Sequence, residues 1–200
     1  MKKILSAVIA ATAMFFGTSL SAGTQEDLQK MIKDALTVGN EMSMDNLTVM
    51  YADDAEIIKS DSVRIAKDVF APSIAMLDAL KKGDLLAFAK AVCTIQKKEL
   101  PADIEKKIKA MSAEEQKATC HDLSKKIYAK MKAESDLRLK TLKFEAFKEE
   151  GNNAVVIAIS VNNNQWERTT FYFEKKDGKW KVISQESVYL PLEQKKEEAK

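Results

Sequence analysis

FYFEKKDGKWKVISQES, residues 171–187, is the stretch whose reading decides the fold. Two aromatic-apolar runs flank Asp177–Gly178, and an Asp-Gly pair between alternating hydrophobic runs signals a tight β-hairpin. A two-residue turn here sets a register. Lys176 then faces Lys179, Glu174 faces Lys181, Phe173 faces Val182, Phe171 faces Ser184 and Thr169 faces Glu186. Side chains alternate along a strand, so Phe171, Phe173, Trp180 and Val182 share one face. Thr169, Ser184, Glu186 and Glu167 continue that face toward its far end. A face that is greasy at one end and polar at the other is what a half-open ligand pocket presents. The plainer alternative is that the polar end meets solvent. The opposite face carries Trp166, Arg168, Tyr172 and Ile183.

Working outward, the chain reads as helices first and strands last. From Leu137 the apolar period reads as two, in a long strand with Leu139 and Phe144. Gly151–Asn152–Asn153 turns it, and Ala154–Val161 follows with little polarity on either face, as a central strand. Asn162–Asn163–Asn164 turns again into Gln165–Glu174, and Lys179–Ser187 closes the meander.

Upstream, residues 24–38 form an amphipathic helix with Thr24 as its N-cap and Gly39–Asn40 as its end. Leu28, Met31, Ile32, Ala35 and Leu36 share its apolar side. Ser43 caps a shorter helix through Met44, Leu47, Met50 and Tyr51. Ala55–Lys59 and Val63–Ala66 read as short strands around Ser60–Asp61–Ser62. Asp68 starts a third helix that tolerates Pro72 near its first turn and stops at Gly83. Asp84 caps a fourth, Asp103–Met111 is a fifth, and Ser112 with Glu115 forms a capping box for a sixth.

The N-terminus bears on compartment. Lys2 and Lys3 precede an apolar run from Ile4 to Phe16, then Gly17, Ser19, Ser21, Ala22 and Gly23. That is the pattern of a bacterial secretory signal cleaved near Ala22, and the run is too short to span a bilayer. The expectation is a periplasmic or secreted protein with no stable membrane anchor after cleavage. Removing Lys2 and Lys3 leaves 30 basic and 30 acidic residues, which argues against nucleic acid as a partner. The middle of the chain is basic and its start acidic, as expected of solvated surfaces that attract each other. Residues 23–190 suit one domain, and the charged residues 191–200 read as a flexible tail.

Cys93 and Cys120 are the two cysteines. Both fall on apolar sides of helices, and in an oxidising compartment such a pair is expected to form a disulfide worth roughly 3–4 kcal/mol. Free thiols, or a metal site with His121, are the alternatives; the neighbourhood is poor in further ligands.

The stretch MYADDAEIIKSDSVRIAKDVF, residues 50–70, resembles the opening of SnoaL-like domains of the nuclear transport factor two-like superfamily. There a helix ends in an acidic pair, a hairpin follows and a third helix begins. The closing hairpin, with its DG-K-W-K-V core, looks like the superfamily's last hairpin. The resemblance covers about 24–83 and 137–190 and implies an α+β cone, a curved antiparallel sheet of about four to six strands wrapped on helices around a pocket. The helical segment 84–134 is interposed in that pattern. A second alignment matches AMLDALKKGDLLAFAKAV, residues 75–92, to the opening of small secreted, cystatin-like members. The domain would then begin near Asp68, and 24–66 would be an extension. Whether Ala55–Lys59 joins the main sheet separates the two.

The superfamily's enzymes use a histidine or carboxylate in the cone. His121, the one histidine, lies on the interposed helices, away from any position the family would use. Asp53 and Asp54 match the acidic pair of the family opening, which often bounds a helix instead. Ser60, Ser62 and Ser73 have no histidine partner nearby, and no phosphate-binding glycine loop or zinc spacing occurs. No cofactor or metal is expected, and no catalytic residue is assigned. The ligand-binding residues expected are Glu186, Ser184, Thr169, Glu167 and Phe171. Three functions follow: a pocket protein binding a small apolar or amphipathic ligand without turnover; a homodimeric or partner-binding module using the outer sheet face; or a small isomerase, dehydratase or cyclase with Glu186 or Asp54 as base.

Overall fold

A computed structural model describes residues 22–37, 44–59 and 62–190. Helices α1 (Ala22–Leu36) and α2 (Asp45–Met50) lead into β1 (Tyr51–Lys59) and β2 (Ser62–Ile65). Then come α3 (Ala66–Lys82), α4 (Leu85–Ile95), α5 (Ala102–Ala110) and α6 (Ala113–Thr141). The chain ends in the meander β3 (Lys143–Glu150), β4 (Asn153–Asn162), β5 (Gln165–Lys176) and β6 (Lys179–Leu190). One six-stranded sheet runs β2-β1-β6-β5-β4-β3. All its pairings are antiparallel except β1 with β6. This is the α+β cone that the resemblance implies.

β1 is an integral strand beside β6, and α1 sends Leu28 and Ile32 into the core. The alignment that starts the domain near Asp68 is therefore overturned. The core gathers these side chains with Val156, Phe171, Phe173, Trp180 and Val182 from the concave face. Burying a side chain such as Phe173, 1% exposed, contributes up to about 3 kcal/mol.

Local signals explain most boundaries. Asp177 and Gly178 adopt φ of 51° and 75°, the paired positive values of a type I′ hairpin. Asn163 and Asn164 do the same at 49° and 60°. Gly83 ends α3 in the left-handed region at φ 72°, and a Cβ there would stand 2.7 Å from Lys117 Cγ. The Asp84 carboxylate accepts from Ala87 N–H at 2.9 Å, and Ser112 with Glu115 completes the expected capping box of α6.

Several expectations are corrected. α1 begins at Ala22, so Thr24 lies inside its first turn. α3 begins at Ala66, which puts Pro72 in its second turn. The largest change concerns Leu137 and Leu139, read as strand residues: α6 continues through them to Thr141. Leu137 is 39% exposed, so the apparent alternation is not a buried face. The segment is rich in helix formers, ion pairs such as Lys132–Asp136 span one turn at 2.9 Å, and Ser135 donates to the Leu36 carbonyl, pinning α6 to α1. Gly39–Asn40, Ser43, Ser60 and Asp61, residues 1–21 of the expected leader 1–22, and the expected tail 191–200 lie outside the described residues.

The interposed helices build a second, smaller core. Leu80, Leu85, Ile108 and Cys120 form it, with Phe88, Met111 and Ile127 packed around them. The expected Cys93–Cys120 bridge is absent, and both thiols are free. Cys120 is buried in this second core, whereas Cys93 is half-buried and is not among the residues of that core.

Candidate functional site

The closing hairpin positions the site, and it does so with one irregularity. Lys176↔Lys179, Glu174↔Lys181 and Phe173↔Val182 pair as expected. Beyond them a β-bulge inserts Ile183, and the register moves by one. Phe171 pairs with Gln185, Thr170 with Glu186 and Thr169 with Ser187. An extra residue flips the facing of everything after it. Ser184 and Glu186, expected in the pocket, therefore stand on the outer face, where Glu186 raises the pKa of Tyr172 in addition to the larger effect of burial. Gln185 and Ser187 take their places inside.

Phe171 and Glu167 line a cavity of about 180 Å³ between α1, α3 and the concave face of the sheet. Thr169 is buried beside it, its hydroxyl 3.3 Å from that of Ser187. Apolar walls come from Ile32 and Leu36 of α1, Met50 of α2, Ile57 of β1, and Val69 and Phe70 of α3. The other end is polar: Tyr51, Lys59, Arg138, Asn162, Glu167 and Gln185.

Glu167 is the centre of that end. It is 2% exposed, and a carboxylate so buried must be paired. Its Oε2 accepts from Arg138 Nη2 at 3.1 Å and from Asn162 Nδ2 at 2.7 Å. Its Oε1 faces Lys59 Nζ at 3.6 Å. Arg138 reaches it because α6 continues past 134 to Thr141 and packs on β4, where Thr141 Oγ1 accepts from Val161 N–H at 2.9 Å. Beside this cluster, Tyr51 donates its hydroxyl proton to Gln185 Oε1, and Gln185 Nε2 donates to Ser187 Oγ at 3.0 Å. Burial pushes the Tyr51 phenol well above its ordinary value; Arg138 pulls it down somewhat and Glu167 adds to the rise.

A second, larger cleft of about 380 Å³ lies between the start of β1 and α3. It shares Tyr51 and Phe70 with the first, whose rings meet edge to face at 5.2 Å. Its acids, Asp53 and Asp78, are exposed, so the buried polar chemistry belongs to the smaller cavity. Asp54 is exposed on β1 and His121 on α6. Neither stands in the cavity. Among the described residues no group of three or more His, Cys, Asp or Glu is placed to hold a metal ion.

Sequence reasoning missed Tyr51, Lys59, Arg138, Asn162 and Gln185. Lys59 was findable: Ala55, Ile57 and Lys59 share the parity of a half-buried strand. Arg138 was hidden by the strand reading of its segment, and Gln185 by the bulge.

No protein-family model and no curated protein matches the chain. Solved structures do. One is an NTF2-like protein of unknown function from Shewanella baltica OS155, at 8% identity over 87% of this chain and 99% of that one, with a TM-score of 0.45. A second is an NTF2-like protein of unknown function from Silicibacter pomeroyi DSS-3, at 8% identity over 86% and 100%, TM-score 0.43. A third, from Nostoc punctiforme PCC 73102, is a protein of unknown function with a cystatin-like fold, at 10% identity over 88% and 97%, TM-score 0.40.

Proposed function

We propose that this protein binds a small apolar or amphipathic molecule, without turning it over, in the cavity between α1 and the concave face of the sheet. The observation that carries the reading is the make-up of that cavity: an apolar end walled by Leu36, Met50, Phe70 and Phe171, and a polar end in which Glu167 is already paired. An apolar cavity of about 150 Å³ takes benzene, so a molecule near that size fits the 180 Å³ here. A general base needs a carboxylate lone pair free to reach a proton. Glu167 commits Oε2 to Arg138 and Asn162 and turns Oε1 toward Lys59, which favours holding a ligand over moving a proton. The bases considered from the sequence, Glu186 and Asp54, lie on the outer face and at an exposed site on β1.

The leader pattern of residues 1–22 supports a periplasmic or secreted setting for this binder. No described helix is long and apolar enough to cross a membrane. Native mass spectrometry of the protein purified from its own host is expected to show a chain cleaved near Ala22 that carries a small molecule. A ligand-free protein that no small apolar compound stabilises would overturn the binding reading; an uncleaved chain would overturn the export reading.

The outer face supports a second reading, a homodimer. Val155 and Tyr172 stand in register there, and Val188 is 52% exposed. A monomer in sedimentation at high concentration would dismiss it.

A further inference from the structure

The polar end of the cavity is unbalanced in charge. Its ionised groups are Lys59, Arg138 and Glu167, so one carboxylate answers two cations. Glu167 Oε2 is saturated by Arg138 and Asn162. Lys59 is held loosely at 3.6 Å, with 47% of its side chain exposed, and its ammonium also rides over the Tyr189 ring at 5.9 Å. Arg138 also lines the cavity, with 29% of its side chain exposed beside its bond to Glu167, so its charge too bears on the space. Of the neutral groups at this end, Tyr51 and Gln185 satisfy each other and Asn162 donates to Glu167.

We infer that the cavity selects a small monoanionic amphiphile, a carboxylate carried on a single ring or a short chain. The inference rests on the ligand-binding reading above and names the class of ligand. The carboxylate accepts from Lys59 Nζ and lies beside the Arg138 guanidinium, which keeps its bond to Glu167. The apolar body lies against Leu36, Met50, Phe70 and Phe171. One negative charge neutralises the site. A cation would meet two like charges, and a neutral molecule of the same shape would leave the second cation unanswered.

The test is calorimetric titration of the mature chain with benzoate and, separately, with its neutral counterpart benzyl alcohol at the same pH and ionic strength. Benzoate is expected to bind at least about tenfold more tightly, the difference one charge-assisted hydrogen bond makes. Lys59→Gln is expected to weaken benzoate about threefold and leave benzyl alcohol unchanged. Lys59 is half exposed, so this variant does not depend on a buried pair, and the comparison of the two compounds needs no variant. Equal affinity for the two compounds, or a Lys59→Gln loss shared by both, overturns the inference and leaves the pocket reading intact. Binding of neither overturns both.

Discussion

Phe171 on β5 is paired with Gln185 on β6, and Glu186 stands one step on, opposite Thr170. The single extra residue Ile183 makes that pairing. It decides whether an amide or a carboxylate faces the cavity. With Gln185 inside, Tyr51 and Ser187 both find partners; with Glu186 inside, a second buried carboxylate would sit near Glu167.

This relationship orders two substitutions. Gln185→Ala leaves the Tyr51 hydroxyl without its acceptor and is expected to cost about 1–3 kcal/mol. Glu186→Gln acts on the outer face and is expected to stay within about 0.5 kcal/mol, while letting the Tyr172 phenol ionise at a lower pH because a raising charge is gone. Urea unfolding and a spectroscopic tyrosine titration read the two effects. The reverse order of stabilities would refute the register.

The Arg138–Glu167 pair predicts a strongly coupled cycle. Arg138→Met strands a carboxylate that is 2% exposed, and breaking such a pair costs about 3 kcal/mol or more. Arg138→Met with Glu167→Met removes both charges and is expected to recover most of the loss. Additive losses in the double-mutant cycle would show that the pair is not coupled.

Tyr51 gives an alkaline signature. Its folded pKa is raised above the ordinary value of 10.0, mainly by burial. The protonated phenol is therefore the form the fold favours. Its contribution is fully present below about pH 10 and is lost as pH rises through the folded value. Tyr51→Phe is expected to flatten the fall in stability above about pH 10, at a cost of about 1 kcal/mol near neutrality for the hydrogen bond to Gln185. Urea midpoints across that range measure it, and an unchanged alkaline slope would count against the buried phenol.

The cysteines predict a thiol count and a rate difference. Denatured without reductant, the protein is expected to yield two free thiols. In the folded protein Cys93, half-buried, is expected to react before Cys120, which is buried and whose thiol pKa is raised by that burial and by Asp84. Alkylation followed by mass spectrometry separates the sites. A mass lower by two hydrogens would establish the bridge.

Much of the fold was legible because its signals are local. Asp177–Gly178 needs only its own positive φ values to make a hairpin, and Ser112 with Glu115 caps α6 with atoms three residues apart. The meander, the opening helices and the concave placement of Phe171, Phe173, Trp180 and Val182 follow from period and turn chemistry. The site was legible only in part. Glu167, Thr169 and Phe171 precede the bulge and keep their expected face; Ser184 and Glu186 follow it and do not.

The sequence by itself determined the order of elements, the hairpin turn and the strand parity up to Val182, because these depend on residues a few positions apart. The tertiary structure decided the rest. Placing Ile183 in a bulge is a choice made with β5 and with β1, which runs parallel to β6. Extending α6 to Thr141 puts Arg138 against a carboxylate 29 residues away in the chain. Strand parity is a local property, but which residue breaks it, and which charge meets Glu167 inside the cone, depend on packing between elements distant in sequence.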